Sequence, residues 1–362
     1  MLLTQEHLCY YLLERKSIEE EVIVNGDYIV VPISGSRNNL FKVLCKSRKS
    51  LFIKQPSKFD AVTTSVLTRE ANTYRFLSQS TMYPKVSSCL PAFFDHDKSR
   101  HTLTVEYFPG ASSIHAYFVK HKSYFPELAI QQAELLHSYH TPIPEGTDTS
   151  IFPKALPWVL QVFDFPPGQL FPGQKANEEL MAIVYNNTEL KSEFDQLKKD
   201  YKMTTLIHGD IKWMNFIIYP HEGGQKQSLI DWELADIGDP LWDVAGLLQS
   251  YISTWVFSFD NTDPRSTQLK ENMKSFDIAD MQTSIRSFWK TYCQLMGYNA
   301  SMEKEVLLKS LRLTAARIVQ TSIEGVVFTP TVYPNNVRSL QLAFNILKSP
   351  EGAAKDLLGI KL

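Results

Sequence analysis

The chain has 362 residues, 44% of them hydrophobic, with a formal net charge of −2. That length suits two lobes or one large domain with an ample core, and so even a charge balance gives no steering toward nucleic acid or an acidic membrane. The four cysteines (Cys9, Cys45, Cys89, Cys293) form no C-x-x-C pair and fit reduced thiols of a cytoplasmic protein; no signal peptide is evident at the N-terminus, and no apolar run approaches the roughly 20 residues of a membrane span.

In chain order, Thr4–Lys16 reads as an amphipathic helix and residues 17–55 as strand-rich. Val22-Ile23-Val24, Tyr28–Val31, Leu40–Leu44 and Ser50–Lys54 are the strand candidates. Between the second and third lies Ser34-Gly35-Ser36-Arg37-Asn38-Asn39. Such a loop could cover phosphates, since Gly35 permits close backbone approach and Ser34 and Ser36 can donate hydrogen bonds. An ordinary hairpin turn is the other reading, with Arg37 either an exposed turn residue or a phosphate contact. Lys54 closes its strand just before Gln55-Pro56, and Val66–Leu77, which contains Glu70, has helical periodicity.

Alternation over His101–Phe108 suggests a strand that ends at Pro109-Gly110. Pro126–His140 reads as a helix; His137 and His140 are expected to pack or to lie at the surface rather than to bind metal. Residues 141–173 are rich in Pro and aromatics and either wall a substrate site or pack as a loop. Residues 178–200 read as a charged, largely solvated helical stretch. After the central motif, helices are expected at Pro240–Thr254, Ile278–Met296, Met302–Glu324 and Val337–Leu347, with a polar break at 260–266.

The most informative stretch is His208-Gly209-Asp210-Ile211-Lys212-Trp213-Met214-Asn215, followed by Asp231-Trp232-Glu233 and Gly238-Asp239-Pro240-Leu241-Trp242-Asp243. Thr205–Ile207, Phe216–Tyr219 and Ser228–Ile230 read as short strands, the last two joined through Gly223-Gly224. Pairing them as a hairpin sets the loop before one beside the loop after the other, so that Asp210, Asn215 and Asp231 can converge. An Asp, an Asn five residues on and a later Asp have the spacing of a kinase catalytic loop. Phosphoryl transfer needs Mg²⁺ held by hard oxygen ligands, which Asn215 and Asp231 offer, and a group such as Asp210 to take the proton of an attacking hydroxyl.

At these residues the chain resembles the aminoglycoside phosphotransferase and choline kinase group of small-molecule kinases, most specifically over Leu206–Gly246. The resemblance implies an α+β, bilobal, protein-kinase-like fold. Its β-rich nucleotide-binding lobe would span residues 1–108, and its largely helical catalytic and substrate-binding lobe 109–362. It implies ATP and Mg²⁺ as cofactors and a loop at Ser34, Gly35 and Ser36 over the phosphates. Lys54 would pair with Glu70 and face the α- and β-phosphates. The backbone at Glu106 and Phe108 would meet adenine. Asp210 would act on the acceptor hydroxyl and Lys212 on the transferred phosphoryl group, with Asn215 and Asp231 on the metal. Asp243 would brace the catalytic loop, Asp239 would cap a helix, and Glu233 would tune the site or contact substrate. Gly209 replaces the arginine of the protein-kinase H-R-D, which implies activity without activation-loop phosphorylation.

The acceptor is less constrained. Residues 277–362 carry ten Lys/Arg against seven Asp/Glu, a formal +3 that weighs against a polycationic acceptor. Aromatics such as Trp158, Phe163, Trp255 and Trp289 are available for a choline cage. Arg312, Arg317 and Arg338 either form surface salt bridges or leave room for an anionic acceptor. The expected activity is phosphorylation of a small-molecule hydroxyl. The alternatives are a kinase of peptide Ser/Thr in natural-product maturation and a nucleotide-binding pseudokinase scaffold.

Overall fold

A computed structural model of the chain describes residues 2–33, 35, 37–166, 168–170, 173–259, 276–327, 329 and 331–362. Its elements run α1 (Gln5–Glu14), α2 (Glu20–Val24), β1 (Tyr28–Ile33), β2 (Asn38–Cys45), β3 (Ser50–Pro56), α3 (Ala61–Gln79), α4 (Pro84–Ser87), β4 (Phe93–Asp97), β5 (Thr102–Tyr107) and β6 (Ser112–Ser113). They continue with α5 (Ile114–His121), α6 (Pro126–His137), α7 (Lys175–Tyr185), α8 (Thr188–Asp200), β7 (Thr205–Ile207), β8 (Phe216–His221), β9 (Gly224–Leu229) and β10 (Asp236–Gly238). The last helices are α9 (Pro240–Val256), α10 (Ile278–Met296), α11 (Ala300–Gly325) and α12 (Pro334–Lys348). The polar break expected at 260–266 lies outside the described residues.

The chain groups into two compact units. The first comprises residues 1–117, 148–152 and 214–235, so the β8–β9 hairpin groups with the N-terminal strands although it follows residue 109. Its main sheet has the order β1-β2-β3-β5-β4, with every neighbouring pair antiparallel. Lys54 therefore sits on a central strand, opposite Leu40 on one side and Leu103 on the other. Leu8, Tyr11 and Leu12 of α1 pack with Phe41, Val43, Leu51 and Ile53 in one apolar cluster. Helix α3 starts at Asp60, whose carboxylate accepts the Thr63 N–H at 2.8 Å. Its buried stripe runs Leu67, Glu70, Ala71, Tyr74, Leu77, at helical spacing, with Glu70 inside it.

One expected strand is a helix. Val22-Ile23-Val24 belongs to α2, although β-branched residues favour strands. Glu20 and Glu21 in its first turn suit the positive end of the helix dipole. Gly26, at φ +59°, ends the helix as its N–H bonds the Ile23 carbonyl.

The second unit comprises residues 118–147, 153–213 and 236–362. It is helical apart from the antiparallel pair β7–β10. Helix α9 is buried on nearly every side and packs on α11, which also packs on α12, while α10 packs on α6. The charged stretch before residue 200 is two helices, because Asn187 caps α8 by accepting the Leu190 N–H at 2.8 Å. Leu190, Phe194 and Leu197 bury one face of α8. No helix among the described residues is long and apolar enough to cross a membrane.

Candidate active site

In the first unit, β8 and β9 form a hairpin with Phe216 opposite Leu229 and His221 opposite Gly224. Gly223 (φ +88°) and Gly224 (φ +142°) make the tight turn that side chains would resist. At the open end, Ile230 N–H bonds the Asn215 carbonyl at 2.9 Å. Asn215 and Asp231 thus leave the hairpin side by side. Trp232, fully buried, anchors the turn beyond with its indole N–H on the Leu229 carbonyl at 3.2 Å. Asp231 itself holds a left-handed backbone, φ +69°. Only a few per cent of non-glycine residues do so, and such residues cluster at functional sites.

Lys54 stands among three carboxylates. Its Nζ lies 2.8 Å from Glu70 Oε2, 2.7 Å from Asp231 Oδ1 and 3.0 Å from Glu233 Oε2. Burial alone would depress this ammonium, but Glu70, Asp231 and Glu233 outweigh burial and raise it well above its ordinary value. For Glu70 burial is the larger influence and pushes the carboxyl upward against the pull of Lys54. The ligand oxygens of Glu70, Asp231 and Glu233 lie within 4.8 Å of one another, a spacing that could hold a metal ion. Glu233 also draws in Arg37, at 3.7 Å.

These groups line a cavity of about 360 Å³, in the range of small-ligand pockets. Leu40, Phe52, Leu103, Val105, Ile217 and Ile230 give it an apolar lining, and Lys54, Glu70, Asn215, Asp231 and Glu233 a polar one. Glu106 and Phe108 lie on its wall. Glu106 is locked in place: its N–H bonds the Ala92 carbonyl at 2.8 Å, and its carboxylate accepts from Ala92 N at 3.1 Å and from Lys49 at 2.9 Å. The Phe108 ring stacks on Tyr219, with centroids 4.2 Å apart. Of the loop before β2, Ser34 and Ser36 lie outside the described residues, while Arg37 and Asn38 line the cavity. Gly35 has no room for a side chain, since a β-carbon there would stand 2.6 Å from the Asn38 carbonyl.

Asp210 and Lys212 belong to the second unit and touch each other, Lys212 Nζ lying 2.5 Å from Asp210 Oδ2. Their loop follows β7 and turns at Gly209, φ +80°. Asp243, fully buried near the start of α9, braces it by accepting the N–H groups of His208 at 2.7 Å and Gly209 at 3.0 Å. Tyr139 OH (2.9 Å) and His140 Nε2 (3.4 Å) also meet Asp243. Asp239 caps α9 on the Leu241 N–H and pairs with Lys309 at 2.6 Å.

In the sequence Arg317 is one of three arginines with the same two readings, surface salt bridge or contact to an anionic acceptor. Arg312 does pair with Glu193, at 2.8 Å, and Arg338 is buried against Asn335. Arg317, 3% exposed, reaches Asp210 Oδ1 at 3.3 Å. Burial would raise the Asp210 carboxyl, but Arg317 and Lys212 outweigh it and hold it well below the usual carboxylate range.

A sheet with a buried Lys–Glu pair in one unit, and helices carrying a braced His-x-Asp loop in the other, define a protein-kinase-like α+β fold. The chain is similar to the structure of an ethanolamine kinase of Plasmodium vivax, 12% identical, with a TM-score of 0.59 over 95% of this chain and 89% of that one. It is also similar to that of choline kinase from Cryptosporidium parvum Iowa II, 14% identical, with a TM-score of 0.56 over 95% and 96%. At such identities the likeness is one of fold. Residues 29–267 match the model of the phosphotransferase enzyme family, to which this chain belongs. Mouse acyl-CoA dehydrogenase family member 10 is 30% identical over 95 residues, which is 26% of this chain but only 8% of that protein.

Proposed function

We propose that the chain transfers the γ-phosphoryl group of ATP to a hydroxyl of a small molecule. The observation that carries this reading is the buried Lys54–Glu70 pair lining a cavity that Asn215 and Asp231 also line. The apolar walls suit a purine, with the Glu106 carbonyl and the Phe108 amide as its backbone partners. Lys54 would then meet the phosphates, held in place by Glu70. Asn215 and Asp231 are the residues that would hold Mg²⁺, which when bound neutralises phosphate oxygens; both are hard oxygen donors and both face the cavity.

In the transfer, the acceptor oxygen bonds to the γ-phosphorus as the bond to the β-phosphate oxygen breaks, and ADP leaves. The hydroxyl proton passes to Asp210. Because the transition state is loose, Asp210 need not be strongly basic; orientation of the hydroxyl matters more. Lys212, which meets Asp210, would follow the charge of the transferred group. With Lys212 and Arg317 both on Asp210, the surroundings weigh against an acceptor whose hydroxyl is flanked by an ammonium.

The test is transfer from γ-labelled ATP to a panel of neutral, anionic and cationic alcohols. Mg²⁺-dependent labelling of a neutral or anionic alcohol is expected. Asp210→Asn should lower it about 10³-fold with ATP-analogue binding retained. Metal-dependent ATP binding with no labelled alcohol, or transfer indifferent to Asp210→Asn, would overturn the reading.

A further inference from the structure

We propose that Arg317 is a positioning residue for Asp210: its guanidinium fixes the carboxylate that meets the acceptor hydroxyl. This rests on the reading of Asp210 given above. Arg317 lies on α11, 107 residues along the chain from Asp210, yet one nitrogen, Nη2, reaches both Asp210 Oδ1 (3.3 Å) and the Ile211 carbonyl (3.1 Å). The same group therefore ties the carboxylate to the backbone of its own loop. Its guanidinium carbon lies 5.1 Å from the centre of the Trp242 ring, and the Trp242 indole N–H donates to the Gly209 carbonyl at 3.1 Å. Residues 209, 210 and 211 are thus all held by one stacked pair. Nη1 meets Gln320 at 3.3 Å, and Nε has no hydrogen-bond partner among the described residues.

A purely structural strut would not be built this way. Burying an arginine with a donor unmet is unfavourable, and an apolar side chain of similar volume fills such space at least as well. The two cations on Asp210 also differ in kind. The Lys212 side chain is 42% exposed and free to swing toward an arriving phosphate, whereas that of Arg317 is 4% exposed and stacked. Lys212 can leave Asp210 during the reaction, and Arg317 keeps the carboxylate in place when it does. Among the described residues, the charged and titratable groups that face Asp210 include Arg317, Lys212 and His208, whose Nδ1 accepts the Asp210 N–H at 3.3 Å.

The experiment compares wild type, Arg317→Lys and Arg317→Gln in the full chain. The Asp210 carboxyl is followed by ¹³C NMR on aspartate-labelled protein, its resonance assigned with Asp210→Asn. Arg317→Gln is expected to move its titration up by about one to three pH units, and Arg317→Lys by less. With the best alcohol of the panel, kcat of Arg317→Gln should fall about 10- to 100-fold, partly rescued in Arg317→Lys, while affinity for an ATP analogue stays within about twofold. A folded Arg317→Gln protein with an unmoved Asp210 titration overturns the proposal whatever its activity. Should Arg317→Gln fail to fold, Arg317→Lys decides: wild-type titration together with wild-type kcat would overturn it. A wild-type protein that labels no alcohol overturns the phosphotransfer reading and the catalytic meaning of the contact, while the titration still reads the contact itself.

Discussion

The charge cluster around Lys54 in the sheet-bearing unit and the one around Asp210 in the helical unit have opposite balance. In the first, one ammonium, Lys54, is met by Glu70, Asp231 and Glu233. In the second, one carboxylate, Asp210, is met by Lys212 and Arg317. A carboxylate-rich cluster has room for more positive charge and suits a site that takes up a cation. A cation-rich cluster does the reverse and holds a single carboxylate ionised and still. The same ion-pair chemistry, differently apportioned, gives one place that gathers charge and another that aims a group.

The largest effect should come from removing the buried cation of the first cluster. Lys54→Met leaves Glu70 buried without a counter-charge and should destabilise the protein by about 3–5 kcal/mol in chemical denaturation, with loss of ATP-analogue binding. Adding Glu70→Leu should restore much of the stability and none of the binding. Wild-type stability of Lys54→Met would show that the pair is not the centre of its cluster.

A smaller effect should come from crowding the second cluster. A β-carbon on Gly246 would stand 2.5 Å from the Ile211 carbonyl, the same oxygen that Arg317 holds. Gly246→Ala should shift that loop, lower Tm by the equivalent of about 1–3 kcal/mol and slow phosphotransfer, with nucleotide binding unchanged. Loss of nucleotide binding in this variant would blur the distinction between the two regions.

The smallest effect lies outside both. His96 on β4 is buried with neither ring nitrogen partnered among the described residues. Burial first, then Arg75 and Lys98, lower its proton affinity. With the folded value below the ordinary 6.5, the unfolded chain protonates first. Stability should therefore be lost as pH falls below about 6.5 and level off once the folded-state value is passed. His96→Phe should flatten that part of the Tm–pH curve without touching either cluster. An unchanged slope would assign the acid sensitivity to the charge clusters instead.

Much of this was legible in the sequence. The glycine turn between two short apolar runs predicts the β8–β9 hairpin, and hairpin geometry then brings Asn215 beside Asp231. The family resemblance implies a Lys54–Glu70 pair, and the two stand 2.8 Å apart. Asp243 was expected to brace the loop, and it accepts two of the loop's backbone N–H groups. The short helix at residues 20–24 was misread because three β-branched residues outweighed the flanking acids and glycine. Arg317 was visible only as one arginine of three.

By itself, then, the sequence determined what short spacings carry: a hairpin, the two hard-oxygen side chains at its open end, an aspartate in a turn five residues before, and a lysine on an apolar strand. Local geometry fixes such features, because few residues separate the groups and few conformations connect them. The tertiary structure alone decided which distant charges share a cluster. Glu233 turned onto Lys54 because a left-handed Asp231 and a buried Trp232 set the direction of the chain. Arg317 met Asp210 because helix packing delivered it there across 107 residues, a separation over which no spacing rule in the sequence holds.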